Sequence, residues 1–463
     1  MLGNLLPTWS VIPFAGILLS IALCPLINAH WWEHNMSKVS LFWAATFIIP
    51  FSMAFGLNDG VYQLLHIYVM DYIPFIILLF SLFVIAGGIL VKGALRGTPL
   101  FNTLILAIGT VLASIVGTTG ASIVLIRPLI RAIESRRVKV HTIVFFIFLV
   151  SNIGGSLTPV GDPPLFLGYL HGVPFFWTLN LLPAFLLNSF LLLGIYYWID
   201  RRQYNKEMTD RDNRIACQEN NKSTCDNDPI RIEGLANLVF IGGVILAVIV
   251  GGAVAKHSVF YDAAHNVARG IPLISSHGHI LVLPYLNMIR DAFILVMALL
   301  SLKMTPKSLR ANNLFSWAPI KEVAVLFAGI FITIIPALAI LSAKGAQLGV
   351  TKPWQFFWSS GLLSSFLDNA PTYLTFLALG GQMSATGGIV TDMGMVSERV
   401  LLAISCGSVF MGANTYIGNA PNFMVRSIAE ESGIRMPSFF GYMGWSIIVL
   451  IPIFLLNTVL FFW

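Results

Sequence analysis

The sequence predicts an all-α polytopic membrane protein made of two inverted-topology repeats, each with a re-entrant hairpin and a broken transmembrane helix. Three observations carry that expectation. First, 57% of the 463 residues are apolar and only 10% are charged, with a mean hydropathy of +0.81. An average soluble domain carries roughly 25% charged residues, so this chain could not cover itself in water. Soluble enzymes, DNA-binding folds and disordered chains are excluded on that ground. Second, apolar stretches recur at the length of about 20 residues that crosses the hydrocarbon. Third, polar and Gly/Pro-rich interruptions fall in the same order in both halves of the chain.

Taken in order, Met1 to Pro7 has no basic segment and no small-residue cleavage site, so the first apolar run reads as an uncleaved span. Single spans are expected at 10–29, 39–57, 72–91, 176–199, 234–254, 281–302, 321–343 and 440–462. The stretches 98–133 and 354–381 are too long for one crossing and carry polar tips, which reads as hairpins that return to the side they entered. The stretches 140–170 and 398–430 are apolar at both ends and broken in the middle. Asp200 to Arg231 is too short and polar to fold alone. The chain therefore divides into a first membrane half (1–199), a linker (200–232) and a second membrane half (233–463). With both hairpins re-entrant, most Lys and Arg gather on the linker's side, which makes that side cytoplasmic. A multi-pass protein of a bacterial inner membrane is the expected location.

Within this layout, Leu82–Ile89 pairs with Val325–Phe331, and the tip Gly117–Ser122 pairs with Leu367–Thr372. The break Ser151–Pro159 pairs with Gly412–Asn422. Gly, Pro and Asn in mid-membrane free backbone groups that must be satisfied away from lipid. Broken helices do this around a cavity, where their ends hold ions and carboxylates. A charge at mid-bilayer costs roughly 2.5–3.5 kcal/mol, so the few acids inside apolar segments stand out. Asp162, just past the first break, and Asp368, at the second tip, are the expected shared site for Na+ and a proton. Thr118, Thr119, Ser151, Asn152, Thr158, Asn369, Asn414, Thr415 and Asn419 surround them with neutral oxygens, with Ser122, Thr372 and Asn422 nearby. Such a ligand set suits a small hard cation. Two alternatives stay open: Asp162 as a helix cap beside two prolines, and Asp368 as the cap of the returning half-helix.

Other polar residues read as structural. Arg290 and Asp291 are adjacent in a helix and should each need a partner elsewhere. Asp71 and Glu322 sit at span ends and read as interfacial, and His257, His265, His277 and His279 as solvated histidines of an outer loop. Cys24, Cys217, Cys225 and Cys406 make no disulfide framework. There is no phosphate-binding Gly-Lys-Ser/Thr loop, which argues against an ATP-driven pump, and enzyme motifs are absent. A secondary active transporter exchanging Na+ or Li+ for H+ by alternating access is the leading expectation. The alternative is a cation-coupled symporter of a di- or tricarboxylate anion. No cofactor is expected beyond the transported Na+ and H+. The expected partners are the lipid bilayer, small inorganic cations and carboxylate anions. Nucleic acid is not expected, because the 27 basic residues are spread too thinly to make a basic face.

The stretch from Ser151-Asn152-Ile153-Gly154-Gly155 to Gly161-Asp162-Pro163-Pro164 resembles the ion transporter superfamily, as do Asp368-Asn369-Ala370-Pro371-Thr372 and Gly418-Asn419-Ala420-Pro421-Asn422. That group includes NhaD-type sodium/proton antiporters, CitMHS-like citrate carriers, dicarboxylate carriers and arsenite permeases. The resemblance implies inverted repeats, two re-entrant hairpins, a homodimer with scaffold and transport domains, and elevator-like movement. Its dicarboxylate carriers place Ser-Asn-Thr at their hairpin tips, whereas here the tips read Thr118-Thr119-Gly120 and Asp368-Asn369-Ala370. A fixed carboxylate repels an anionic substrate unless a cation intervenes, and on that argument the antiporter branch comes first.

Overall fold

The computed structural model describes residues 2–92, 97–215, 231–262, 267–313, 315–383 and 387–463. About 76% of the chain is helical. In the first half the helices are α1 (Leu2–Leu5), α2 (Ile12–Ile27), α3 (Ala29–Phe55), α4 (Leu57–Ile67), α5 (Ile73–Ala86), α6 (Pro99–Val116), α7 (Thr118–Ala132), α8 (Val140–Leu149), α9 (Pro163–Leu170) and α10 (Leu182–Ile215). In the second they are α11 (Ala236–Val254), α12 (Tyr285–Met304), α13 (Lys307–Asn312), α14 (Ala318–Thr333), α15 (Ile335–Lys344), α16 (Pro353–Phe366), α17 (Asn369–Gly381), α18 (Glu398–Phe410), α19 (Ala420–Glu431) and α20 (Phe439–Asn457). Most of the expected linker lies outside the described residues, with Cys217, Cys225 and His265. Its first part is helical, since α10 continues to Ile215.

Nine helical stretches among the described residues are long and apolar enough to cross a membrane. A tenth candidate is the pair α14–α15, bent by 41°. The bend falls where α15 opens with Pro336 in its first turn, a residue that can neither donate to the preceding turn nor fit beneath its carbonyl. Large apolar side chains such as Leu41, Met53, Leu100, Ile289, Ile448 and Val459 are exposed, a surface suited to lipid. The chain is a multi-pass integral membrane protein. Among the described residues the strands form two-stranded antiparallel pairs, the longest joining Gly270–Ser276 to His279–Pro284 in the expected outer loop.

The expected hairpins and breaks appear as helix pairs. The stretch 98–133 becomes α6 and α7, joined at Gly117, whose φ of +83° only glycine adopts readily. The stretch 354–381 becomes α16 and α17, joined through Leu367 in ordinary extended geometry (φ −117°). The two broken stretches each become helix, a short 3-10 turn and helix, with turns at Ile153–Leu157 and Met411–Asn414. Gly87 and Gly329 are not equivalent: Gly87 ends α5, whereas Gly329 lies inside α14 facing Ser40.

The core sits around α8, where 89% of the window Val140–Leu157 is buried, against 22% for α3. The halves interleave: α17 packs on α9, α19 on α7 and α8, and α20 on α10. Asn188 of α10 and Asn457 of α20, both fully buried, exchange side-chain amide hydrogen bonds of 2.9 and 3.1 Å. Each also donates to its own helix, to Ala184 O and Ile453 O.

Two ionic clusters tie the helix ends. Asp200 of α10 accepts from Arg136 (2.9 Å), His141 (3.0 Å) and Asn102 (3.1 Å), and Arg136 also reaches Glu207 (2.8 Å). In the other, His171 lies between Asp71 (3.0 Å) and Asp392 (2.9 Å), joining the turn before α5 to the end of α9 and to the loop beyond α17. Asp71 is therefore buried and paired, not interfacial. His171 stands outside the candidate spans. Burial opposes its charge, but the two flanking carboxylates outweigh that and hold its pKa well above the ordinary 6.5. Arg290 and Asp291 also differ from expectation, since they pair with each other at 2.8 Å. The long guanidinium arm reaches sideways across the angle that separates adjacent helix positions.

Candidate functional site

The site grows from the two breaks. Thr158 has left helical geometry and donates its hydroxyl to Ser114 O on α6, while its Oγ1 accepts from Gly161 N (3.1 Å). Thr415 does the same in the second half, donating to Ser365 O on α16 and accepting from Gly418 N (3.1 Å). Ser114 donates in turn to Gly154 O, and Ser365 to Met411 O. These bonds satisfy backbone groups that a broken helix would otherwise leave bare in lipid. Gly155 and Gly161 touch backbone to backbone, as do Gly412 and Gly418, and a Cβ on either second glycine would lie within 2.5 Å of a carbonyl oxygen.

Each turn ends by delivering one side chain to the middle of the molecule. Asp162 and Asn419 stand at the N-caps of α9 and α19 in matching extended geometry. Neither caps its own helix, which removes the capping alternative for Asp162. Asp162 instead accepts from Thr118 Oγ1 (2.9 Å), Asn369 Nδ2 (2.7 Å) and Asn419 Nδ2 (3.2 Å). Thr118 and Asn369 are the first residues of α7 and α17. Four helix N-termini, those of α7, α9, α17 and α19, therefore converge on one buried carboxylate. Each carries roughly half a positive charge, while the three side-chain donors are a hydroxyl and two amides. Helix ends and dipoles surround the Asp162 carboxyl, and no cationic side chain is among its hydrogen-bond partners in the described residues.

The remaining expected residues fall around this point. Asn152 donates to Ile147 O (2.8 Å) and to Asn422 Oδ1 (2.7 Å), and Asn422 donates to Gly412 O and Thr415 O, so one amide pair closes both breaks. Asn419 also donates to Ser151 O (3.1 Å), and Ser151 bonds Ser122 (2.9 Å). Asn414 donates to Ser365 Oγ (2.9 Å). Asp368 caps α17 through Ala370 N (3.2 Å), as its alternative reading held, and immediately precedes Asn369, which donates to Asp162. Thr119 is half-buried and stays outside this network. The amide oxygens of Asn369 and Asn414 are buried and accept no hydrogen bond among the described residues. Free oxygens of this kind, with the carbonyls of the two turns, can hold a hard cation.

Sequence reading missed Ser114 and Ser365. The signal was present, since each stands four residues before its tip residue, Thr118 or Asn369. In sequence the break Ser151–Pro159 pairs as a block with Gly412–Asn422. The hydrogen bonds instead match Thr158 with Thr415 and Asp162 with Asn419 at one constant spacing.

A family model described as "Putative citrate transport" matches residues 3–462. No curated protein matches the chain.

Proposed function

The chain belongs to that citrate transport family, and from this premise we propose that it is a cation-coupled carrier of citrate or another di- or tricarboxylate. The observation that carries the proposal is the meeting of four helix N-termini at Asp162. Helix N-termini favour anions, so the repulsion of a fixed carboxylate is offset where a substrate carboxylate would arrive. The coupling cation is assigned to the oxygen-rich side of the same centre: Asp162, Asp368, the free amide oxygens of Asn369 and Asn414, and the carbonyls beside Asn152, Thr158 and Thr415. Cation and carboxylate would then neutralise each other as they bind, a direct physical basis for symport. The family match supports this reading over the sodium/proton exchange that sequence put first. Exchange keeps one observation in its favour: Asp368 stands next to Asn369, which donates to Asp162.

In this reading the halves 1–199 and 233–463 are inverted repeats joined by a cytoplasmic linker, 200–232. The pairs α6–α7 and α16–α17 are re-entrant hairpins whose tips meet at the substrate. Matched hydrogen bonds at Thr158 and Thr415 support the repeat.

Uptake of labelled citrate or succinate into proteoliposomes, with a Na+ or a proton gradient imposed in turn, tests the proposal. Uptake driven by one of these gradients is expected. Collapse of a pH gradient on adding Na+ or Li+ alone, with no carboxylate uptake, would return the protein to the antiporter branch.

A further inference from the structure

The corner where α2 gives way to α3 carries a cluster that the transport site does not use. His30, Glu33 and His34 lie in the first two turns of α3, all three exposed, and one ligand atom from each lies within 4.8 Å of the others. Helix geometry brings this about, because residues four apart stand one above the other on the same face. The two imidazole rings are 4.6 Å apart between centroids. His34 directs Nδ1 to the His30 carbonyl oxygen at 2.9 Å, so that nitrogen carries the proton and Nε2 keeps its lone pair. Imidazoles that ligate metals are oriented by the same kind of second bond.

The surroundings favour a cation. Glu322, near the start of α14, adds to the negative charge felt by Glu33. These two carboxylates counter the positive end of the α3 dipole, which would otherwise repel a metal. Two imidazole nitrogens and one carboxylate oxygen suit zinc-class ions, and suit Na+, Mg2+ and Ca2+ poorly.

We propose that His30, Glu33 and His34 form a surface site for a divalent transition metal of the zinc class. Three protein ligands leave a coordination position open, so the ion is exchangeable. The site is separate from the cation site at Asp162 and takes a different class of ion.

The test uses the full chain, purified in detergent without a histidine tag, and Zn2+ titrated against a chromophoric chelator. Saturable binding is expected, weakened about tenfold or more by His30→Gln and by His34→Gln and less by Glu33→Gln. A His277→Gln/His279→Gln variant should bind as the parent does, and Zn2+ should raise the melting temperature of the parent but not of His30→Gln/His34→Gln. All three ligands are exposed, so these variants should fold, and their melting curves without metal check that they do. Equal Zn2+ binding by the parent and the His30→Gln/His34→Gln variant would overturn the proposal, as would loss of binding only in the His277→Gln/His279→Gln variant or no saturable binding at all.

Discussion

Around Asp162, a threonine hydroxyl on a serine carbonyl, two facing glycines and an extended N-cap residue turn the chain through a break. Around Asn419, Thr415, Ser365, Gly412 and Gly418 repeat that arrangement. The regions differ in what they deliver to the centre: a carboxylate on one side, and on the other an amide that donates to it. The turn is therefore a property of hydroxyls and glycines, and it forms with or without a charge. The charge is an addition to the turn, which is why it points to function.

The largest effect should come from erasing the difference. Asn419→Asp places a second carboxylate against Asp162 and removes the donor to Ser151 O. We expect transport to be lost and stability to fall by about 3–5 kcal/mol, the cost of an uncompensated buried charge. Denaturant melts in detergent measure the second quantity. Exchanging the two residues, Asp162→Asn with Asn419→Asp, should recover part of that loss; an exchange variant no more stable than Asn419→Asp would show that the contact between them is not the cause.

Breaking the shared plan should cost less, and cost amounts of the same order on both sides. Thr158→Val and Thr415→Val each remove a bond to a serine carbonyl and a side-chain acceptor from a glycine N–H, for about 1–3 kcal/mol apiece; Gly161 N–H keeps its bond to Thr158 O (3.0 Å). Melting temperatures that differ widely between the two would show that the turns are not equivalent. At the hairpin tips the comparison reverses, because Gly117 has a backbone that excludes a side chain and Leu367 does not. Gly117→Ala should destabilise by about 1–3 kcal/mol through backbone strain alone, a term that Leu367→Ala lacks. The same melts read both variants.

The smallest effect concerns His171. Because its folded-state pKa is raised, its ion pairs stabilise fully below pH 6.5, and that stability is lost as pH rises through the folded value. His171→Gln should lower the melting temperature at pH 6 by an amount worth about 1 kcal/mol, and the gap should close under alkaline conditions. A gap unchanged with pH would mean that packing, not charge, accounts for the loss.

Spans were legible in the sequence because lipid leaves a long one-dimensional record in hydropathy. The breaks were legible because Gly, Pro and Asn interrupt that record. What escaped is what depends on distance across the fold. Asp71 lies far in sequence from its partner His171, and nothing local distinguishes it from an interfacial acid. Ser114 and Ser365 look like ordinary small residues until the turn that each receives is in place. The helical extension of α10 to Ile215 is polar, and no hydropathy window finds it.

The paired amides of Asn188 and Asn457 also bear on how the protein is made. The two residues are 269 positions apart, so at ribosomal rates of about 5–20 residues per second the second follows the first by roughly 13–54 s. During that delay α10 would sit in the bilayer with a polar side chain awaiting its partner. The bond from Asn188 to Ala184 O within its own helix, mirrored by Asn457 to Ile453 O, occupies one donor of each amide in the meantime. Each helix can then be released from the insertion machinery on its own schedule, and the clasp between them closes afterwards by sideways diffusion in the membrane.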